Sequence, residues 1–245
     1  MQHVRLIFDP PAPGSWNMAV DEALLSTCSD SAATTLRVYG WSTPTLSLGY
    51  FQPYAERTTH TASAECAVVR RATGGGAILH DQEITYSFTT PVRDRNSQEE
   101  QAWYDVLHRS LIATLTEYGI QATRCESTDR QLESRFLCFQ RRSEGDILLG
   151  QMKIAGSAQR RQRQAVLQHG SLLFRQSSCA PELPGIVELC HTDLAVEPFA
   201  KRWVAMLGKR LDWAWQPDQL TNQEHERAGN IQKEKFGHSD WTHRR

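Results

Sequence analysis

Residues 70–87 read RRATGGGAILHDQEITYS, and the three consecutive glycines Gly74 to Gly76 interrupt a series of short apolar segments. Residues 68–69 before the glycines, and residues 77–79 and 84–88 after them, have the β-branched and apolar content that predicts strands. Glycine loses more backbone entropy on folding than any other residue. Three in a row between strands therefore indicate positive φ angles or a close approach of the backbone to a ligand. On these residues alone, a flexible hairpin turn with solvated charges is an equal alternative.

The flanking residues favour the ligand site. Arg70 and Arg71 stand before the glycines with Thr73, and His80 and Asp81 end the next strand. This arrangement resembles the signature of the superfamily of lipoate–protein ligases and octanoyltransferases, which shares its fold with biotin–protein ligase. The segment LRVYGWSTPTLSLGYFQ at 36–52 is similar to the corresponding segment of the same superfamily. The resemblance implies an α/β (α+β) fold, a mixed β-sheet flanked by helices, with the glycine loop along the acyl chain or acyl phosphate of the substrate.

Length and composition fit this expectation. The chain has 245 residues, of which 40% are hydrophobic and 22% charged, as is usual for one large domain. We therefore expect a single catalytic domain over residues 1–245, and a monomer. No apolar run is long enough to span a bilayer and the N-terminus has no signal-peptide pattern, so we expect a cytoplasmic protein without membrane contact. The formal net charge of −1 gives no reason to expect a nucleic-acid partner.

Periodicity predicts the other elements. Apolar residues at helical spacing predict a helix from Gln98 to Tyr118 that ends at Gly119, which we expect to be a packing helix without catalytic content. Residues 126–135 are polar and aperiodic, which indicates a loop. The remaining predictions are strands at 4–8, 36–39, 45–48 and 165–174, helices at 17–27, beyond 184 and at about 220–235, a hairpin at 146–159, and a turn containing Arg160, Arg161 and Arg163.

One lysine stands on an otherwise apolar strand, Lys153 in MKIAGSA. A charge there is costly unless it meets a partner in a cleft, although a strand lysine can also extend to solvent. By the resemblance, Lys153 faces the acyl carbonyl of the substrate, and Gly156 of the same strand belongs to the substrate site. An ammonium in that position can stabilise developing oxyanion charge and favour a nearby thiolate over a thiol.

None of the six cysteines belongs to a CxxC pair, so neither a zinc ribbon nor a thioredoxin motif is present. The segment CFQRRSEGDI, which begins at Cys138, resembles the nucleophile segment of cysteine-dependent octanoyltransferases of the ligase-like branch. This implies Cys138 as the nucleophile, although those enzymes carry a glutamate where Asp146 stands and an aromatic pair at positions 144–145. In another branch the cysteine follows the lysine. Cys179 and Cys190 are therefore alternatives, although Cys179 lacks that branch's flanking residues.

Two features argue against ATP chemistry. Adenylating lipoate ligases usually follow the His-Asp pair with a Gly-Asn that helps to bind the nucleotide and its magnesium, whereas Asp81 is followed by Gln82 and Glu83. Such ligases also commonly need an accessory domain after the catalytic one, which we do not expect in this chain. We therefore expect no metal and no nucleotide cofactor.

The resemblance implies an octanoyltransferase of protein lipoylation that works through an acyl-cysteine thioester. Its donor would be octanoyl-acyl carrier protein, and its acceptor a lysine of a lipoyl domain or of the glycine cleavage H protein. The alternatives are an ATP-dependent lipoate or biotin ligase, an amidotransferase between lipoyl domains that uses the same cysteine, and a binding module without turnover.

The residues expected at this site fall into three groups. Cys138 and Lys153 are the predicted catalytic pair. The predicted substrate-binding residues are Arg71, Gly74, Gly75, Gly76, His80, Gly156 and His169, with the two histidines as hydrogen-bonding supports. Arg141, Arg142, Arg160, Arg161 and Arg163 are predicted to form a basic rim for acidic partner proteins.

Overall fold

The described residues form eleven strands and six α-helices. The structure, a computed structural model, describes residues 2–92, 97–132 and 135–245. The strands are β1 (Gln2–Phe8), β2 (Thr35–Tyr39), β3 (Thr45–Leu48), β4 (Ala67–Arg70), β5 (Ile78–His80), β6 (Glu83–Pro91), β7 (Thr123–Arg124), β8 (Ile147–Leu149), β9 (Met152–Gln162), β10 (Ala165–Leu173) and β11 (Trp213–Pro217). The helices are α1 (Gly14–Ser31), α2 (Ser97–Glu117), α3 (Ile186–Cys190), α4 (Val196–Leu211), α5 (Asn222–Ile231) and α6 (Ser239–Thr242).

Eight strands form a mixed sheet in the order β11-β1-β2-β6-β10-β9-β8-β7. The pairs of β1 with β11 and β2 are parallel, and the other neighbours in this sheet are antiparallel. A smaller sheet has the order β4-β3-β5 and carries the glycine loop between its strands β4 and β5. This mixed sheet with flanking helices confirms the predicted fold class.

The large sheet is covered on both faces. Successive side chains of a strand point to opposite faces, so neighbouring residues enter different cores. In β1, Leu6 packs in the cluster that contains Leu111 of α2 and Trp203 of α4, whereas Ile7 packs in the cluster that contains Leu24 of α1. A third cluster lies under the small sheet and includes residues 137 and 139, which flank Cys138. The candidate nucleophile is therefore held between two packed side chains.

Most predicted elements are confirmed, with one error in the arginine-rich segment. Arg160 and Arg161 do not form a turn, because β9 continues to Gln162, which pairs with Ala165 of β10. Only Arg163 lies in the turn, with a positive φ of 51°. In the predicted loop at 126–135, residues 130–132 form a 3-10 turn, and residues 133 and 134 lie outside the described residues.

Candidate active site

A cavity of about 310 Å³ opens between the glycine loop, the β9–β10 hairpin and the turn at Cys138. This volume lies at the lower end of the roughly 300–1,000 Å³ range of small-molecule sites, which fits a short ligand. Six of its lining side chains are largely carbon, namely Met18, Tyr39, Trp41, Ile78, Tyr104 and Phe139. The predicted residues Arg71, Gly74, Gly75, His80, Cys138, Lys153, Gly156 and His169 all line it as well.

Cys138 begins a short 3-10 turn that is fixed to the strand after the glycines. Its backbone N–H donates to the Ala77 carbonyl over 2.7 Å, and its own carbonyl accepts from Arg141 N–H over 3.0 Å. Leu137 before it and Phe139 after it are buried. Because the backbone on both sides is anchored, the half-buried thiol has a fixed position in the cavity wall.

Lys153 connects this thiol to a buried carboxylate. Its Nζ lies 3.7 Å from Cys138 Sγ and 2.8 Å from Asp146 Oδ2. The same Asp146 oxygen accepts the Ser143 N–H over 2.7 Å, so the 143–146 turn also orients the carboxylate. The sequence predicts a partner for the Lys153 ammonium in a cleft, and the structure places two beside it.

Electrostatics keep Lys153 charged. Burial alone would lower the pKa of its ammonium, but the neighbouring Cys138 sulfur and Asp146 carboxylate outweigh burial and raise this pKa. Burial raises the pKa of Asp146, against the opposing effects of Lys153 and the Ser143 N–H. The result is a cation held at the sulfur of Cys138, where it can stabilise a thiolate or an oxyanion formed at an attacked carbonyl.

Arg71 holds the glycine loop in shape. The guanidinium donates to the Gly74 carbonyl over 2.8 Å and to the Gly76 carbonyl over 2.6 Å, and it also donates to the Ser47 carbonyl over 2.8 Å. Gly75 between them has a φ of 93°, a conformation that other residues rarely adopt. Burial lowers the pKa of Arg71 to about 10, which leaves it a cation at neutral pH. The loop is therefore a fixed wall of the cavity and not the flexible hairpin turn that was the alternative interpretation of the glycines.

A further glycine explains how the loop fits. A Cβ on Gly49 would overlap the carbonyl oxygen of Gly75, so the glycine loop lies directly on the backbone after β3. Gly76 faces away from the cavity, since it does not line it and a Cβ there would lie 2.9 Å from the Arg141 guanidinium. Of the three predicted loop glycines, Gly74 and Gly75 meet the cavity and Gly76 packs behind it.

His80 is part of a closed hydrogen-bond network. Its Nδ1 contacts Glu83, its Nε2 lies 2.8 Å from Ser47 Oγ, and its ring stacks on Trp41 with centroids 3.8 Å apart. The Glu83 oxygen that contacts His80 also accepts from Thr85 over 2.6 Å. Both ring nitrogens are hydrogen-bonded within the protein, and the supporting role of His80 stays a prediction.

His169 is similarly engaged on β10. Its Nε2 lies 2.7 Å from Thr73 Oγ1, the residue before the glycines, and its Nδ1 lies 3.6 Å from Asp21 Oδ2. Burial acts to raise the pKa of Asp21, but the contacts with His169 and Arg37 lower it overall. His169 thus links the glycine loop on the small sheet to α1 through Asp21.

Sequence reasoning missed part of α2. The helix was expected to be a packing helix without catalytic content, and the sequence did not show that Tyr104 also lines the cavity. One turn later, His108 Nδ1 lies 2.7 Å from the Gly145 carbonyl and its Nε2 lies 2.6 Å from Ser157 Oγ. Burial lowers the pKa of His108 to about 4. A tyrosine four residues before a buried histidine was the only available signal, and it did not show which surface they face.

The alternative cysteines lie elsewhere. Neither Cys179 nor Cys190 lines the cavity. Cys179 is close enough to Cys66 to interact with it, and burial raises the pKa of the Cys66 thiol to about 12. Burial also raises the pKa of Cys190 at the end of α3. Cys138 alone among these candidates has an ammonium beside it.

The arginines of the predicted basic rim differ in their partners. Arg161 lies 3.0 Å from Glu100, Arg163 lies 3.5 Å from Asp30, and Arg160 lies 3.6 Å from Glu22. Arg142 donates to the Gln151 side chain over 2.9 Å, and Arg141 donates to the Arg135 carbonyl over 2.6 Å. The three arginines of β9 and its turn therefore each have a carboxylate within ion-pair distance, unlike the two that follow Cys138. Two of these carboxylates are shared, because Glu22 also contacts Lys235 at 2.6 Å and Asp30 also contacts Arg227 at 3.1 Å.

Within the described residues 2–92, 97–132 and 135–245, no group of three or more His, Cys, Asp or Glu side chains is arranged to hold a metal ion. In the same ranges no helix combines the length and apolar character needed to cross a membrane.

Known structures share this fold. A lipoate-protein ligase A bound with ATP superposes with a TM-score of 0.82, covering 99% of each chain at 20% identity. A bipartite lipoate protein ligase from Thermoplasma acidophilum gives a TM-score of 0.80 over 99% of this chain and 97% of that chain, at 18% identity. At such identities the likeness concerns the fold alone, and it confirms the expected biotin/lipoate ligase fold.

Sequence relatives identify the family. The octanoyltransferase LipM of Kyrpidia tusciae is 38% identical over 186 residues, which cover 71% of this chain and 67% of that protein. The octanoyltransferase LipM of Halalkalibacterium halodurans is 29% identical over 277 aligned positions and covers 100% of both chains. These relatives support the predicted enzyme class, an acyltransferase. The family model of the lipoyl protein ligase A/B catalytic domain matches residues 13–187, and this chain belongs to that family.

Proposed function

We propose that this protein is an octanoyltransferase that carries its acyl group on Cys138. The donor is octanoyl-acyl carrier protein, and the acceptor is the side-chain amine of a lysine in a lipoyl domain or the glycine cleavage H protein. The relatives named octanoyltransferase support the acyl group and reaction class. Cys138, Lys153 and the cavity they share support the route.

The observation that carries this proposal is the position of the Lys153 ammonium, 3.7 Å from Cys138 Sγ in the wall of the cavity. A thiolate is the natural nucleophile for thioester exchange, because one thioester is replaced by another at little net cost. The neighbouring ammonium favours the thiolate, because its positive charge compensates for the water that the thiolate loses in the cavity. Asp146 in turn fixes the ammonium.

The first step exchanges thioesters. The Cys138 thiolate attacks the donor carbonyl and forms a new C–S bond, and the negative charge moves to the carbonyl oxygen within reach of Lys153. As the tetrahedral species collapses, the bond to the carrier sulfur breaks and the carrier leaves as a thiolate, which takes up a proton from water. The octanoyl chain remains in the cavity beside Gly74 and Gly75.

The second step forms the amide. The neutral amine of the acceptor lysine attacks the octanoyl-Cys138 carbonyl and forms the C–N bond, the C–S bond breaks, and the amine loses one proton to water. The departing Cys138 thiolate again lies beside the Lys153 ammonium. No nucleotide enters either step, because the thioester bond supplies the activation that ATP provides in a ligase.

Intact-mass analysis after mixing with octanoyl-carrier tests this route. We expect a single octanoyl adduct that hydroxylamine removes, as it does a thioester. The adduct should be absent in Cys138→Ala and present in Cys179→Ala and Cys190→Ala. An adduct that persists in Cys138→Ala and disappears in one of the other variants would refute the assignment. Competition between octanoyl-carrier and an octanoylated lipoyl domain separates this activity from amidotransfer.

A further inference from the structure

Three arginines around the glycine loop have no acidic partner. Arg244 lies over the Tyr50 ring at 4.4 Å and over Trp241 at 4.7 Å, and Arg245 lies over the Phe51 ring at 5.3 Å. Arg141 donates only to a backbone carbonyl. Among the residues that the structure describes, no carboxylate lies within ion-pair distance of these three guanidinium groups.

These side chains flank the glycine loop on two sides. Phe51 is 65% exposed, and a Cβ on Gly74 would lie only 3.7 Å from its ring. On the other side of the loop, a Cβ on Gly76 would lie 2.9 Å from the Arg141 guanidinium. We call Arg141, Arg244, Arg245 and Phe51 the arginine rim. It runs from the C-terminal segment across the glycine loop to the turn of Cys138.

The C-terminal segment is fixed in this place. Arg70 donates to the Thr242 carbonyl over 3.0 Å, and Trp241 donates to the Arg70 carbonyl over 2.8 Å. The Tyr54 N–H donates to the Arg245 carbonyl over 2.7 Å. Arg70 is fully buried under this segment, so a third positive charge lies behind Arg244 and Arg245. Like charges gathered in this way repel one another, and an anionic partner would relieve that repulsion.

We propose that the arginine rim is the docking surface for the acidic protein that donates the acyl group, an inference that rests on the proposed function. Arginine together with an exposed aromatic side chain is the composition that protein interfaces favour. An acyl carrier presents both acidic residues and the phosphate of its prosthetic arm, and arginine pairs well with either. An acceptor lipoyl domain presents carboxylates but no phosphate, which favours the donor as the occupant.

The arginines of β9 and its turn differ from the arginine rim because they face carboxylates. The three arginines at 160–163 each face a carboxylate, which reduces the positive field there, although two of those carboxylates also contact Lys235 and Arg227. Charges at an interface rim act mainly on association and are screened within about 10 Å at 0.1 M salt. Docking at the arginine rim should therefore depend on salt, whereas acylation by a donor without charge should not.

The test is the charge reversal Arg244→Glu with Arg245→Glu, leaving the anchored turn at Cys138 untouched. Its matched control is Lys201→Glu with Lys209→Glu, two exposed residues of α4 that do not line the cavity. Cys138 acylation is followed by intact mass with octanoyl-carrier and with octanoyl-pantetheine, which has neither phosphate nor protein. Affinity for the carrier with a free thiol is measured separately by calorimetry at low and high salt.

We expect the rim variant to bind carrier at least about tenfold more weakly at low salt, with the loss shrinking at high salt, while the control binds normally. Acylation by octanoyl-carrier should fall by a similar factor, and acylation by octanoyl-pantetheine should stay within about twofold of wild type. Unchanged carrier affinity, equal loss with both donors, or weakened affinity for a lipoyl domain alone would overturn the assignment. Absence of any Cys138 adduct in the wild-type protein would instead refute the proposed function, and the calorimetry would still decide the docking surface.

Discussion

Protonation of His108 should destabilise the fold in mild acid. The ring is fully buried, and its Nδ1 must donate to the Gly145 carbonyl, since a carbonyl cannot donate. Its Nε2 then accepts from the Ser157 hydroxyl, which lies 2.6 Å from the Tyr86 hydroxyl. A second ring proton would face a donor and would place a positive charge in a buried site near the Lys153 ammonium. Burial is the main reason that the pKa of His108 falls to about 4.

The sign and size of the effect follow from linkage. The folded state prefers the neutral ring, so the stabilisation is complete above the ordinary pKa of about 6.5 and is lost as pH falls toward about 4, while the unfolded chain binds the proton. A shift of about 2.5 units at about 1.4 kcal/mol per unit corresponds to roughly 3 kcal/mol in full. By about pH 5, about 2 kcal/mol of this should already be lost.

Urea unfolding of the wild type and of His108→Gln, each at about pH 7.5 and about pH 5, measures this loss. Glutamine can donate to the Gly145 carbonyl and does not titrate. The wild type should therefore lose about 2 kcal/mol more unfolding free energy than the variant between the two pH values. Equal losses in both proteins would mean that His108 is not buried as a neutral base, and the reasoning above would fail.

Two further predictions concern the cavity. Lys153→Met should slow Cys138 acylation by about 10²–10³-fold, measured by single-turnover mass kinetics. It should also cost about 3–5 kcal/mol of unfolding free energy, measured in urea, because Asp146 is left buried without a cation. Adding Asp146→Asn should restore most of the stability but not the rate. Gly75→Val should abolish acylation while the protein still unfolds cooperatively, because valine is strained at a φ of 93°; acylation at the wild-type rate would place the substrate elsewhere.

The predictable part of this molecule is local. The glycine run, the lone lysine of β9 and the strands around them follow from residue type and spacing over a few positions, so Lys153 and the loop could be singled out from sequence. The resemblance in the segment at Cys138 added the nucleophile. The helical period of α2 similarly gave its bounds to within one residue.

The parts that could not be predicted depend on long-range contacts. Spacing along α2 shows that Tyr104 and His108 share a face, but not that this face meets Gly145 and Ser157, 37 and 49 positions beyond His108. The neutralisation of Arg161 has the same cause, since Glu100 lies 61 positions away in sequence. Charge patterns reveal which residues are basic, whereas the net field at a surface depends on which carboxylates the fold brings beside them.

Long-range packing surrounds positions 144–146, where this chain departs from the octanoyltransferases that it resembles. Those enzymes carry an aromatic pair where Glu144 and Gly145 stand, but Gly145 has a φ of 92°, and a Cβ there would lie 2.7 Å from the Tyr104 ring. The Tyr104 ring lines the cavity at this point, so α2 supplies an aromatic wall that the turn itself does not provide. Asp146, shorter by one methylene than the glutamate of those enzymes, still reaches Lys153 at 2.8 Å. Glycine at 145 and tyrosine at 104 thus depend on each other, because an aromatic side chain at either position occupies the space that the other would need.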